Sequence, residues 1–415
     1  MIRKPIAPAV HVNISPMDLF KTNQIYISFV MPLSERVASF ASLLSMVLKT
    51  GCADYPNVKA LGRALDELYG AQLHVSLRKK GDNHVVTFSL EFLDNSFAHQ
   101  DDIISKALEL MAKVIFHPLT DGDSFDIPAV EREKKNLCNL IEGRINDKRI
   151  YALRRCGEFS AQGQPYQVYE CGSVSCVEQI TAKSLFDFYQ EYLQSSVIEI
   201  YGFGRVSDVQ IENAFGKYFS DDRTPIMKPS CTVATSELKE YEEIYPVDQA
   251  KLSIGFGFNK QVNDVAQRLF LILYGGSPSS LLFANVREKL SLCYYCSAML
   301  EKHKNLMIVY SGVMPEKIEE AKKEILVQLD SIVRGEFTQA EFAAAKKAYI
   351  NNLKAMQDSV SQLEDYALNQ ILSGRPVSIE EDLRQIEQLT EKDIQDVAKT
   401  VEPISVYVLK GGMEQ

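Results

Sequence analysis

The sequence predicts an α+β protein of two homologous domains, each an antiparallel-rich sheet with helices packed on one face. Three observations predict this class: apolar residues alternate in several short runs, longer runs have a helical period, and one internal duplication relates the two halves. Alternation is typical of half-buried strands, and a period of about 3.6 is typical of amphipathic helices. The length of 415 residues also exceeds what one hydrophobic core usually supports.

The duplication is clearest near the end of each half. Glu178–Thr181 (EQIT) recurs as Glu387–Thr390 (EQLT), at an offset of 209 residues. In both copies the threonine stands directly before a helical run, where an N-cap residue is expected. Two upstream segment pairs match at offsets of 212 and 221: Phe125–Ile141 with Phe337–Leu353, and Val85–Leu90 with Leu306–Ser311.

Strands and helices are predicted from these periods. Gln72–Phe92 is a predicted hairpin that turns at Lys80–Asp82, because apolar and polar residues alternate on both sides of the turn. Leu252–Phe258 has the same alternation in the second half. A helix with one apolar face follows in each half: Ile104, Ala107, Leu108, Met111 and Ile115 in the first, and Ile318, Ala321, Ile325, Leu329 and Ile332 in the second.

The predicted division is a first domain at residues 1–219, a linker at 220–245 and a second domain at 246–415. The linker is predicted because Ser220–Glu240 is polar, contains two prolines and has no periodicity.

Composition limits the class of partner and the compartment. The net charge of −10 argues against a nucleic-acid partner. No apolar run has the length of a signal peptide or a membrane span, so we expect no membrane association. Eight scattered cysteines without a framework spacing are typical of a reducing compartment. A cytoplasmic location is therefore expected.

Two sets of motifs connect the chain to a family. Leu65–Ala71 (LDELYGA) is one, and Gly275–Phe283 (GGSPSSLLF), continued by Val286–Lys289 and Ser291–Tyr294, is the other. The second set resembles the second-domain pattern G-G-x-x-S-S-x-L-F-x-x-[VL]-R-E-x-x-G-L-x-Y of M16 (insulinase/pitrilysin-like) metallopeptidases, with Ser291 in place of one glycine. The first is typical of their non-catalytic YfmF-type members. The resemblance covers nearly the whole chain and implies an M16 peptidase-like (LuxS–MPP-like) fold.

Active members of this family carry H-x-x-E-H on a helix, where two histidines bind zinc and the glutamate acts as general base. Val37–Gly51 (VASFASLLSMVLKTG) is the matching helix, and Ala41, Leu44 and Ser45 occupy the His, Glu and His positions. The family's third ligand is a later glutamate, whose position the resemblance assigns to Leu140. We therefore predict a degenerate zinc site, no metal, no cofactor and no catalytic activity of the chain alone. The six histidines include no pair four residues apart that could replace the site.

The resemblance also implies a role for Arg287 and Tyr294. In the family, the corresponding side chains reach the catalytic site of a facing first domain, where they hold the substrate backbone and the developing oxyanion. A guanidinium and a phenol suit this role because both offer fixed hydrogen-bond donors. The alternative is that Arg287 pairs with a carboxylate on a helix surface and Tyr294 packs in a strand.

Cys293-Tyr294-Tyr295-Cys296 spells C-x-x-C. A redox site of this type is expected at a helix N-terminus, which stabilises a thiolate. This segment is predicted to be a strand, which disfavours the redox interpretation.

Two functional hypotheses follow. The leading one is a non-catalytic subunit of a heteromeric M16-type zinc peptidase, which pairs with an active zinc-bearing M16 chain, completes its chamber and binds the substrate peptide as an added strand. The alternative is a structural or scaffold protein with no role in proteolysis, which the resemblance links to modification of elongation factor P with a 5-aminopentanol group. A peptidase with another mechanism lacks support, because the sequence contains no G-x-S-x-G and no convincing Cys/His pair.

Overall fold

The computed structural model describes residues 1–98, 102–227, 230–233, 237–375 and 377–412. His99 and residues 228, 229 and 234–236 of the predicted linker lie outside these ranges. The chain separates into two compact units. The first is Met1–Gly143 with Val168–Pro229, and the second is Arg144–Gln167 with Ser230–Gln415.

Each unit contains one β-sheet. The strands of the first are β1 (Ile2–Ala7), β2 (Val10–Pro16), β3 (Thr22–Pro32), β4 (Gln72–Lys80), β5 (Asn83–Leu93) and β6 (Val197–Gly204). Those of the second are β7 (Lys239–Ile244), β8 (Ala250–Phe258), β9 (Cys293–Glu301), β10 (Leu306–Val313) and β11 (Val401–Lys410). Within the described residues, the strand orders are β1-β2-β6-β3-β5-β4 and β7-β11-β8-β10-β9.

The two sheets have one topology. β2 pairs with β6 in parallel, and its counterpart β7 pairs with β11 in parallel. The remaining pairs correspond in order and are antiparallel: β6–β3 with β11–β8, β3–β5 with β8–β10, and β5–β4 with β10–β9. Only β1 has no counterpart in the described part of the second sheet. The predicted duplication and the α+β class are therefore confirmed.

The described helices follow the expected apolar periods. They are α1 (Glu35–Thr50), α2 (Val58–Glu67), α3 (Ile103–Phe116), α4 (Ile127–Glu142), α5 (Lys148–Ser160), α6 (Val174–Glu178), α7 (Ala182–Ser195), α8 (Asp208–Phe215), α9 (Asp264–Tyr274), α10 (Ile318–Arg334), α11 (Gln339–Met356), α12 (Val360–Leu372), α13 (Ile379–Gln388) and α14 (Glu391–Ala398). Thr181 and Thr390 cap α7 and α14 through reciprocal capping boxes, as the duplicated motif predicts. No helix in the described ranges has the length and apolar content needed to cross a membrane.

The core of the first unit lies between its sheet and α1, α3 and α7. Every second residue of β3 and β5 points into it, and helix residues of the predicted apolar face meet them. The central members are Ile25, Ile27, Phe29, Val86, Phe88, Leu90, Leu43, Leu44, Ala107, Met111, Leu185 and Phe188.

The second unit buries both faces of its sheet. Leu252, Ile254 and Phe256 of β8 belong to one apolar cluster with α9, α10, α11 and α14. Side chains of α5 form a separate cluster with the alternate residues of β10 and β11: Ala152, Leu153, Cys156, Leu306, Ile308, Ile404 and Tyr407. The predicted first domain contained α5, whereas the structure groups Arg144–Gln167 with the second unit. The reason is this apolar contact, which a boundary drawn from repeats alone does not show.

Gly255 allows α5 to approach the second sheet. A Cβ at this position would lie 2.3 Å from Ser160 Oγ on α5 and 2.5 Å from Ser405 Oγ on β11. The two serine oxygens are 2.6 Å apart and share a hydrogen bond. A side chain at position 255 would therefore separate the helix from the sheet or break this bond.

We expect Gly255→Ala to lower the free energy of unfolding by about 1–3 kcal/mol, the usual effect of overpacking a core. Urea unfolding followed by circular dichroism measures this change. Removing both obstructing oxygens with Ser160→Ala and Ser405→Ala should recover most of the loss. Gly62→Ala is the control, because no atom lies within 4 Å of a Cβ there. Equal stability of Gly255→Ala and the wild type would show that α5 does not need this close approach.

Candidate functional site

The three helix positions predicted to be degenerate lie in the core of the first unit. Ala41, Leu44 and Ser45 are each 1–2% exposed on α1. The Ser45 hydroxyl donates to the Ser42 carbonyl at 2.8 Å, so it is already engaged. These side chains border a void of about 10 Å³, whose other walls include Phe29 and Tyr192. A space of this size holds at most about one water molecule.

Leu140 does not join them. It is 51% exposed on α4, while Leu137 and Ile141 of the same helix are buried in the core. The structure therefore brings together three of the four predicted positions and leaves the fourth at the surface. In the described part of the chain, no three His, Cys, Asp or Glu side chains come together in a group that could hold a metal ion.

The glycine pair of the second-half motif has a steric role. A Cβ at Gly275 would lie 2.7 Å from Leu282 Cδ1 and 2.9 Å from Ala298 Cβ. A Cβ at Gly276 would lie 3.0 Å from the Leu271 carbonyl oxygen. The missing side chain at Gly275 therefore allows the end of α9 to lie close to Leu282 and strand β9, and the missing side chain at Gly276 allows the chain to turn against the end of α9.

Arg287 lies on a π-helix, Leu282–Lys289, which is an uncommon conformation often found at functional sites. The guanidinium carbon is 4.5 Å from the centre of the Phe283 ring, and Nε is 3.5 Å from Glu288 Oε1. With the side chain 40% exposed, the ion pair is long and solvated and therefore contributes little. The predicted carboxylate contact exists, but it leaves most of the guanidinium donors available to a ligand.

Tyr294 occupies a β-bulge. Cys293 pairs with Val313 and Tyr295 pairs with Gly312, so Tyr294 is the extra residue between them. Its side chain is 55% exposed, and the phenol donates to Met314 Sδ at 3.6 Å, a weak acceptor. The alternative prediction, a tyrosine packed within the strand, does not describe this exposed position. Bulges commonly redirect a side chain next to a functional site.

Known proteins resemble this chain over its full length. The family model described as Peptidase M16 inactive domain matches residues 179–349. A Bacillus subtilis protein named probable inactive metalloprotease YmfF is 31% identical over 405 residues, which cover 96% of this chain and 95% of that protein. The chain belongs to the M16 peptidase family. It is a YmfF-like member of the family, and the expected type name, YfmF, is corrected to YmfF.

Solved structures share the fold. A conserved protein from Enterococcus faecalis V583 is 25% identical, with a TM-score of 0.86 and coverage of 100% of this chain and 99% of that one. A peptidase M16 inactive domain from Pseudomonas fluorescens is 17% identical, with a TM-score of 0.79 and the same coverage. The second likeness shows that the M16 fold persists at low identity.

Two buried ionisable residues near the degenerate M16 helix were not singled out from the sequence. Glu133 is the inward-facing carboxylate of α4 and accepts from Arg132 Nε at 2.8 Å and Asn136 Nδ2 at 2.9 Å. It lies four residues before buried Leu137 and eight before buried Ile141, a helical period that the sequence contains. That period favours Glu133 over Leu140 as a buried residue of α4.

His84 of β5 is completely buried. Its Nε2 lies 2.8 Å from the Glu170 carbonyl oxygen, to which the Ser42 hydroxyl of α1 also donates at 3.1 Å. A carbonyl only accepts, so Nε2 carries the proton, and Nδ1 has no hydrogen-bond partner in the described structure. Burial lowers the pKa of His84 to about 4. The neutral imidazole therefore donates a hydrogen bond that holds the Glu170 segment beside α1.

The His84 pKa predicts acid sensitivity. Because the folded-state pKa is below the ordinary 6.5, the unfolded chain binds the proton more readily, and stability falls as the pH drops from 6.5 towards 4. Between about pH 7.5 and pH 5 we expect His84 to account for a loss of about 2 kcal/mol. Urea unfolding at both pH values measures the loss in the free energy of unfolding. This loss should be smaller for His84→Gln than for the wild type. It should equal that of the wild type for the control His74→Gln, which alters an exposed histidine on β4. An identical loss in all three proteins would exclude His84 as the cause.

Ser291, which replaces the motif glycine, has φ +50°. An L-residue in the left-handed region is strained, so we expect Ser291→Gly to raise the free energy of unfolding by up to about 1 kcal/mol. Asn305→Gly is a matched control with φ +51°, because asparagine tolerates this conformation better and should gain less. Denaturant unfolding of both variants measures the difference. A loss of stability in Ser291→Gly would contradict the strain at this residue.

Proposed function

We propose that this inactive M16 chain is the non-catalytic subunit of a heteromeric M16-type zinc peptidase. The partner chain carries the zinc ion and the general base. This chain completes the partner's chamber and binds the substrate peptide through Arg287 and Tyr294. The proposed location is the cytoplasm, which the eight scattered cysteines favour.

The placement of these two side chains carries the proposal. Both extend polar groups to solvent from unusual backbone, one from a π-helix and one from a β-bulge. Neither position is needed to fill the core, in contrast to Ala41 and Leu44 of α1. Irregular backbone of this kind is commonly kept where it serves a site. Three of the four predicted metal positions lie in the core, whereas Arg287 and Tyr294, the proposed substrate-binding side chains, lie open to solvent.

The chemistry of the pair suits an acyl-transfer site. The guanidinium offers several fixed N–H donors, and the phenol offers one O–H donor. Directed at a peptide carbonyl in the partner's site, these donors would bind the substrate and stabilise the negative charge that develops on its oxygen. Neither group can activate water without a metal, so the reaction requires the partner.

Strand β4 is the best place for the peptide to add as an extra strand. It is one of the two terminal strands of the first sheet, and it pairs with β5 over nine residues without a register shift, whereas the pairing of the other terminal strand, β1, with β2 has such a shift. An extended peptide can form main-chain hydrogen bonds with such an edge. The two terminal strands of the second sheet are less suitable, because β9 contains the bulge at Tyr294 and β7 has only six residues.

The decisive experiment reconstitutes the chain with an active M16 zinc peptidase and measures hydrolysis of a quenched fluorescent peptide. Arg287→Ala and Tyr294→Phe should leave folding and complex formation intact and lower kcat by ~10²–10³-fold, about 3–4 kcal/mol of transition-state stabilisation. Lys289→Ala is the matched control, since it removes an exposed cation from the same π-helix.

Equal rates for the wild type, both variants and the control would remove the substrate-binding role. The chain would then be a scaffold of the M16 fold, and its predicted link to elongation factor P modification would become the leading hypothesis. A higher KM with an unchanged kcat would mean that Arg287 and Tyr294 contribute to substrate binding but not to stabilisation of the transition state.

A further inference from the structure

The bulge at Tyr294 also changes the relation between Cys293 and Cys296. In a regular strand, residues three apart point to opposite faces. Here Cys293 pairs with Val313 and Cys296 pairs with Ser311, two residues that share a face of β10. The extra residue therefore turns both thiols to the same face of β9.

The two thiols differ in their surroundings. Cys296 is buried, whereas Cys293 is half-buried at the start of the strand. Hydrogen bonding with Cys296 and the charge of Arg287 lower the pKa of Cys293 to about 7, while the same contact and burial raise the pKa of Cys296. The pair therefore contains one thiol that ionises near neutral pH and one that remains protonated. An attacking thiol is most effective when its pKa is near the ambient pH.

We propose that Cys293 and Cys296 form a redox-active dithiol, which a low-molecular-weight disulfide oxidises to an intramolecular disulfide. The Cys293 thiolate attacks one sulfur of the reagent, forms a mixed disulfide and releases the first thiolate. Cys296 then loses its proton to that thiolate and attacks Cys293 Sγ, which releases the second. Two protein thiols are oxidised, and one reagent disulfide is reduced to two thiols.

This inference does not rest on the proposed function, because the exchange requires only the chain itself. It has a consequence for that function, however. A disulfide across Tyr294 would tether β9 on both sides of the bulge and restrict the phenol. The chain would then carry a covalent, reversible modification directly beside Arg287 and Tyr294.

The test uses the full-length chain and oxidised glutathione as the probe. After oxidation and alkylation, mass spectrometry of the wild type should find a peptide with a Cys293–Cys296 disulfide, two hydrogens lighter, that dithiothreitol reverses. Cys296→Ser should stop at a glutathione adduct on Cys293, because the second thiol is missing. Cys293→Ser should leave Cys296 reduced. Cys231→Ser, which removes an exposed cysteine, should behave as the wild type at the pair.

Two results would overturn the proposal. In the first, Cys293 and Cys296 remain free to be alkylated under conditions in which glutathione modifies Cys231. In the second, wild-type Cys293 carries a stable glutathione adduct and no disulfide forms. The second result would mean that the two sulfurs cannot meet. Because no partner and no peptidase assay are involved, either result leaves the proposed subunit role untouched.

Discussion

The fold depends on one packed layer in each unit, in which the alternate residues of three antiparallel strands meet amphipathic helices. In the first unit this layer is β6–β3–β5 under α1, α3 and α7, and in the second it is β11–β8–β10 under α9, α10 and α14. Hydrophobic burial of this extent is the dominant favourable contribution to folding. Every other feature, including the exposed Arg287 and Tyr294, is attached to this layer.

The same constraint explains why Ala41 and Leu44 suit the helix that matches the family's zinc-binding helix. Ala41 and Leu44 face the sheet from α1 and are almost fully buried, so their present side chains add to the core. An imidazole or carboxylate there, without a metal to bind it, would be a buried polar group with unsatisfied hydrogen-bonding atoms. Without a bound metal, apolar and small residues at these positions stabilise the helix better than metal ligands would. Ala41 and Leu44 therefore contribute to the packing of the first unit.

The sequence predicts the class, the duplication and the helix caps because these depend on local periods and on repeated motifs. It predicts the exposure of Arg287 and Tyr294 only through the family resemblance. The predicted first domain includes α5, whereas the structure groups this helix with the second unit through contacts with strands more than 90 residues later in the chain. Leu140 lies on the exposed side of α4, whose phase is set by buried Leu137 and Ile141, so the structure does not bring it together with the α1 positions. The burial of His84 depends on the pairing of β5 with β3, and the pairing of strands cannot be read from a single sequence.

The bulge at Tyr294 connects the two proposals. No pattern in the sequence predicts it, because the segment is predicted to be a regular strand. In a regular strand, the two thiols of a C-x-x-C segment would point to opposite faces, because side chains alternate. One inserted residue reverses that expectation and at the same time turns Tyr294 towards solvent. The Arg287 charge on the π-helix lowers the pKa of Cys293, which directly precedes Tyr294 in the chain. A change in the oxidation state of the pair would therefore occur beside the two side chains that the proposed peptidase role requires.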